Sequence, residues 1–393
     1  MHELRSLFGT LVALSIIILA FSIMPGFFEP APAPFLSSVA TGTLPAIVAS
    51  APLPSTPSGV TTTPATTTET NSTAIIKADT KTQENTENKQ QNSAPSNQAV
   101  RIENPYNTAP LPFETINLNA RAALVNIFCT PHGGSLSPIS GSGVVIDPRG
   151  IILTNAHVAQ YVLLSESSRV NLTCSARTGA PAAPSYQVSV LYLPEAWVDD
   201  HAKDIVTLHP TGTGEHDWAL LRASGPLPSG TVPFPTLFPY ISFDTRAGIA
   251  FMDDQVLAAA YPAEFVGGII AQMGLYPVSS ISKIDQLLTF SSSTIDLISI
   301  GSVVEAQSGS SGGPVVNQWG KLVGIITTTS EGATTGQRNL RAITLNYIDR
   351  DTTDQTGLTL SQFLQRDPLE EQYWFDTTTA PRLIDQYIRY LTR

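Results

Sequence analysis

Beyond about Thr115 the chain is cut into short apolar runs, and this punctuation limits its fold more than any other feature. "ALVNIFC" (Ala123 to Cys129), "GSGVVID" (Gly141 to Asp147), "GIILTNAHV" (Gly150 to Val158) and "RVNLTCSA" (Arg169 to Ala176) come first. "YQVSVLYL", "DWALLRAS", "DQVLAAAYP", "GSVVEA", "GPVVN", "KLVGIITTT" and "LRAITLNYI" follow, with Gly, Pro and Asp between them. Apolar runs of about four to eight residues bounded by turn formers read as strands. Many of them at short spacing predict an all-β sandwich or barrel. No amphipathic helix is expected until the end, where Leu383, Ile384, Tyr387, Ile388 and Leu391 share one helical face.

One stretch does not fit a purely structural reading. "SGSSGGPVVN" (Ser308 to Asn317) crowds serine and glycine ahead of a strand. A linker would need no strand behind it, whereas a loop that presents a hydroxyl to a reacting carbonyl needs glycine for close approach and positive φ. A serine hydroxyl needs a base, and that base needs an orienting group. The six histidines are His2, His132, His157, His201, His209 and His216, all ahead of Ser311. Gly309-Ser310-Ser311-Gly312-Gly313 also matches the G-x-S-x-G elbow, but that arrangement requires a later histidine and a helix directly behind the serine. Pro314 and an apolar pair stand there instead. The order His…Asp…Ser remains. His157 ends a buried run in "LTNAHVAQ", and Asp217 heads the apolar "DWALLRA", where its carboxylate can be buried beside an imidazole. Asp199, Asp200 and Asp204 are expected in solvent.

These blocks, in this order, resemble the chymotrypsin-like serine proteases, closest to the bacterial high-temperature-requirement type, over roughly Ala120 to Arg350. The resemblance implies a double six-stranded β-barrel closed by a C-terminal helix. It implies Ser311 as nucleophile, His157 as general base and then acid, and Asp217 as the orienting carboxylate. The backbone N–H groups of Gly309 and Ser311 would form the oxyanion hole, with Ser310 a bystander. The substrate pocket would be walled by Glu305, six positions before the serine, and by Ile326, Thr327 and Thr328. A carboxylate at 305 could select Arg or Lys, or point away; small to medium apolar side chains are the favoured choice. "SARTGAPAAPSYQ", "LPEAWVDDHAKD" and "SGPLPSGTVPFPTLFPY" are expected to be enlarged surface loops. After Ile348 too few residues remain for the PDZ domain common in that type. A catalytically silent barrel serving as an envelope scaffold is the alternative, and an esterase would share every residue named.

The remaining sequence bears on location. Leu7 to Met24 hold no charge and, as a helix, would extend about 27 Å, close to a bilayer core. A cleaved signal peptide and an uncleaved anchor compete; the length of the run and the lack of a clean small-x-small site favour the anchor. Residues 1–6 would then be a cytoplasmic stub, 25–115 a disordered Pro/Thr/Ser/Asn-rich spacer, 116–350 the catalytic domain and 351–393 a helical extension. The domain would lie outside the cytoplasm, acting on protein or peptide substrates. There an even pair, Cys129 and Cys174, reads as a disulfide rather than two buried thiols. A formal net charge of -11 argues against a nucleic-acid partner. No H-E-x-x-H, C-x-x-C or phosphate-binding glycine loop is present, so no metal and no cofactor are expected. The sequence leaves the oligomeric state open.

Overall fold

The computed structural model describes residues 100–134, 136–207, 212–228, 232–263, 274–290, 293–329 and 339–392. The apolar stretch 7–24 and most of the spacer lie outside these residues. Among the described residues no helix is long and apolar enough to cross a membrane.

Two antiparallel β structures dominate. Six strands, β1 (Leu124–Pro131), β2 (Ile139–Asp147), β3 (Ile151–Thr154), β4 (Leu172–Thr178), β5 (Ala183–Tyr192) and β6 (Ala219–Pro226), close into a barrel in the order β1-β2-β3-β6-β5-β4. Ile127, Val144, Ile152, Leu153, Val190, Leu220 and Leu221 on its strands are all fully buried, successive residues of a strand packing on opposite faces of the barrel wall. Burying one such side chain contributes about 1.5–3 kcal/mol. The second structure has seven strands rather than the expected six. They are β7 (Gln255–Ala260), β8 (Val278–Lys283), β9 (Gln286–Leu288), β10 (Leu297–Ser299), β11 (Pro314–Asn317), β12 (Leu322–Thr329) and β13 (Leu340–Thr344). Their order is β8-β7-β11-β12-β13-β10-β9. Its end strands β8 and β9 are joined through Ile284 and Asp285 alone, so the sheet curls back on itself without a ladder between its ends. "GSVVEA", expected as a strand, is a turn-rich loop.

Helices are more numerous than the sequence suggested. Helix α1 (Phe113–Ala123) buries Ile116, Ala120 and Ala123, at helical spacing, and carries Glu114 in its first turn and Arg121 in its last, each favourable to the helix dipole. Its buried face is mostly alanine, which hides the apolar stripe. Helix α2 (Ala156–Ser165) buries Ala156, Val158, Ala159, Val162, Leu163 and Leu164. It is apolar on nearly every side and therefore shows no 3.6-residue alternation. "LPEAWVDDHAKD" is helix α3 (Glu195–His201) followed by a 3-10 turn, and "SARTGAPAAPSYQ" is the β4–β5 hairpin; neither is a loop. The hairpin pairs Ala176 with Tyr186 and Thr178 with Ala183, with a register shift between Ala176 and Arg177.

Within residues 100–112, Ile102 N–H donates to Gly248 O, Leu111 N–H to Gln318 O, and Tyr106 OH to Asp244 Oδ2 at 2.7 Å. At the other end, position 350 falls inside helix α4 (Leu345–Thr356), which follows β13 and packs on β12 and β13. Beyond it lie α5 (Leu360–Phe363), α6 (Pro368–Trp374) and α7 (Ala380–Leu391). Helix α7 buries Ala380, Leu383, Ile384 and Tyr387, packing on α2 and the 3-10 turn. Cys129 and Cys174 face each other across β1 and β4 and are joined by a disulfide.

Candidate active site

The end of β3 and the start of α2 place His157 in the first helical turn, with about a third of its side chain exposed. Asp217 precedes β6 and is 5% exposed. Strands β3 and β6 are neighbours, with Thr154 paired to Ala219, so the two residues meet just beyond the ladder. The Asp217 carboxylate takes two donors from one residue: His157 Nδ1 at 2.8 Å to Oδ2 and the His157 backbone N–H at 3.0 Å to Oδ1. Thr327 Oγ1 adds a third donor at 2.8 Å, to Oδ2. Asn155 Nδ2 holds the Asp217 carbonyl at 2.7 Å.

A buried carboxylate left alone would be neutral. Burial does push Asp217 up, but the His157 charge and the hydrogen bonds from His157 and Thr327 outweigh it and hold its pKa below the ordinary value. For His157, burial acts downward, and the charge and hydrogen bond of Asp217 reverse that and raise its pKa above the ordinary value. Nδ1 is engaged, which directs any base chemistry to Nε2.

Ser311 arrives from the other β structure, on the loop ahead of β11. Gly309 has φ +94° and Gly312 φ +86°. A Cβ on Gly312 would sit 2.1 Å from Ser142 O and 2.5 Å from Thr154 Oγ1. That close approach locks the loop against the β2–β3 wall, three residues from His157. Ser142 makes the junction. Its N–H donates to Ser311 O at 2.7 Å, its Oγ donates to Gly309 O at 2.7 Å, and the same Oγ accepts from Tyr261 N–H at 2.9 Å. On the far side Gly312 N–H donates to Ile326 O, and Ile326 N–H to Gly313 O, both at 2.8 Å. Ile326 is the chain neighbour of Thr327, so the serine loop and Asp217 are anchored to adjacent residues of β12.

Within this loop the N–H groups of Ser310, Gly312 and Gly313 are satisfied. Those of Gly309 and Ser311 have no acceptor among the described residues. The Ser311 hydroxyl and the His157 ring share no direct hydrogen bond, and Ser310 Oγ is buried without a partner among the described residues.

The residues expected to wall a substrate pocket are placed differently. Glu305 is wholly buried; Oε2 accepts from Ser280 Oγ, and Oε1 has no partner among the described residues. Burial pushes its pKa up, against the smaller lowering from Ser280. Glu305 therefore neither faces solvent nor stands open. Ile326 turns its side chain into the core of the second sheet, because β12 alternates there. The Thr327 hydroxyl is spent on Asp217. The Thr328 side chain lies outside the described part.

The other described histidines bond elsewhere, His216 to Asp351 at 2.8 Å. His132 binds Thr173 Oγ1, His201 stacks on Trp197 and pairs with Asp204, and His2 and His209 lie outside the described residues. Asp199 and Asp200 are exposed, and Asp204 is partly buried against His201. Ser142 was not read as a member of the site from the sequence, and Thr327 was expected at the substrate pocket rather than on Asp217. Ser142 had one signal, a polar residue between two glycines within a strand; the Thr327 partnership had none. Among the described residues no cluster of His, Cys, Asp or Glu is arranged to hold a metal.

Residues 141–325 match the family model described as a trypsin-like peptidase domain. That stretch contains His157, Asp217 and Ser311, and the two β structures with their C-terminal helices fit a chymotrypsin-like fold. No curated protein matches the chain.

Proposed function

We propose that this trypsin-like peptidase domain is an active serine endopeptidase working through an acyl-enzyme. Ser311 Oγ attacks the scissile carbonyl while His157 Nε2 takes its proton. Asp217, fixed by three donors, holds the imidazole in the Nδ1–H tautomer and stabilises the imidazolium that forms. The tetrahedral oxyanion is received by the N–H groups of Gly309 and Ser311. Collapse expels the amine, which takes the proton from His157, and water then repeats the cycle on the ester. Catalytic hydrogen bonds tighten in the substrate complex, which is where the hydroxyl closes on the ring.

The observation that carries this reading is the pair of unspent amides beside Ser311 in a loop whose other amides are satisfied. The enclosure of Glu305 supports small to medium apolar P1 side chains over Arg or Lys. The high-temperature-requirement type rests on the sequence blocks alone. The disulfide supports an oxidising compartment, and the apolar run at 7–24 supports a tether. Substrates would be extracytoplasmic proteins or peptides.

The test compares the wild type with Ser311→Ala on casein, fluorogenic peptides and a fluorophosphonate. Loss of the nucleophile is expected to lower kcat by about 10⁶ and to abolish labelling. Absence of labelling in both proteins would favour the silent scaffold. Cleavage confined to Arg or Lys substrates would reverse the pocket assignment.

A further inference from the structure

Asp217 sits between two residues that grip the same distant carboxylate. His216 Nδ1 bonds to Asp351 Oδ1 at 2.8 Å, and Trp218 Nε1 donates to Asp351 Oδ2 at 2.6 Å. Asp351 lies on α4, outside both β structures, and is buried. Tyr347, one helical turn earlier, accepts the His216 backbone N–H on its hydroxyl at 3.1 Å. Gln355, one turn later, donates to Asp351 Oδ1 at 3.0 Å. Residues four apart share one helix face, so this face of α4 is a single receptor for the segment 216–218.

That segment needs holding. His216 has φ +57°, a left-handed backbone that a side-chain-bearing residue adopts at a cost. Trp218 is fully buried and stacks on Tyr192. The backbone between them decides where the Asp217 carboxylate points. A carboxylate at 351 can accept from both flanking side chains at once. Burial alone would push Asp351 up, but the hydrogen bonds from His216, Trp218 and Gln355 outweigh it and keep the group ionised below the ordinary carboxylate value.

We propose that Asp351 is a positioning residue: by gripping His216 and Trp218 together it fixes the backbone that aims Asp217 at the His157 ring. Helix α4 thus acts on the site through Asp217. This rests on the reading of Asp217 as the residue that orients His157.

Asp351→Asn preserves shape but offers one acceptor oxygen instead of two, and Trp218→Phe deletes one donor. A misplacement of about 1 Å can cost about 100-fold; a partial loosening is expected to lower kcat about tenfold in Asp351→Asn and less in Trp218→Phe, with KM within about twofold. The full chain would be used, with active sites counted by fluorophosphonate, melting followed by calorimetry, and the downfield proton resonance of His157 Nδ1–H recorded. That resonance is expected to shift or broaden in Asp351→Asn. It reports on the Asp217–His157 contact even if the wild type fails to label, so failure of the peptidase reading is seen separately. An unchanged resonance would overturn the proposal, whether kcat per active site stayed within twofold or fell only in step with lost stability.

Discussion

The two β structures contribute to the site in opposite ways. The first barrel closes on itself, carries a disulfide between neighbouring strands, and brings His157 and Asp217 together just beyond the ends of the adjacent strands β3 and β6. The second sheet supplies Ser311 on a loop fixed by Ser142 from the first barrel and by Ile326 from the neighbouring strand of its own sheet. The His157–Asp217 pair is therefore drawn from one structure with a further donor, Thr327, from the other, and the Ser311 loop is set by the fit between the two. A site divided in this way couples catalytic geometry to the docking of the two structures.

Asp217→Asn tests the His157–Asp217 half and should have the largest effect. An amide can stabilise the wrong tautomer, and a loss of about 10⁴ in kcat is expected near neutral pH, with Ser311 still present for slow labelling. A loss under tenfold would break the assignment. Next, replacing both cysteines with serine opens a 45-residue loop and should cost about 4 kcal/mol on the chain-entropy model. Denaturant melting would read this. If the first barrel is the rigid half, kcat of the folded fraction should hold.

Ser142→Ala probes the borrowed half. It leaves Gly309 O and Tyr261 N–H without their shared partner, and losing a buried hydrogen bond of this kind costs about 1–3 kcal/mol. Labelling of Ser311 should slow about 10-fold or more while the His157–Asp217 resonance stays in place. A resonance that moved would erase the distinction between the halves.

The smallest effect is one of pH. The raised pKa of His157 places the rise in kcat/KM above the ordinary histidine range, since the base must be neutral. Stability runs the other way. A pKa raised on folding contributes fully below the unfolded value of about 6.5 and is lost as pH rises through the folded value. Asp217, with its pKa lowered, contributes above its unfolded value and is lost as pH falls through the folded one. Melting temperature and kcat/KM measured across pH 5–9, the second in Asp217→Asn as well, check this. The inflection should move down in the variant, because the charge that raised it is gone.

Much of the fold was legible because strands advertise themselves. Val188 and Val190 alternate with polar neighbours in β5, and Ile151 to Leu153 form an unbroken buried run. The helices α1 and α2 were not, since alanine on one and apolar residues all around the other conceal helical periodicity. His157, Asp217 and Ser311 stood out by context: a histidine after a buried run, an aspartate before one, a serine among glycines. The position of Glu305 relative to Ser311 says nothing of whether the loop turns the carboxylate inward, and the fold buries it.

The sequence by itself determined the succession of strands, the chain order of His157, Asp217 and Ser311, and the two cysteines available to pair. These follow from local chemistry: apolar spacing, turn residues and residue type. Only the tertiary structure decided that Ser142 bridges the halves, that Thr327 serves Asp217 rather than a pocket, and that Asp351 grips the residues on either side of it. Such partners lie 110 to 167 positions apart. Their meeting depends on strand register and helix docking, which the packing of the whole core sets and no local pattern encodes.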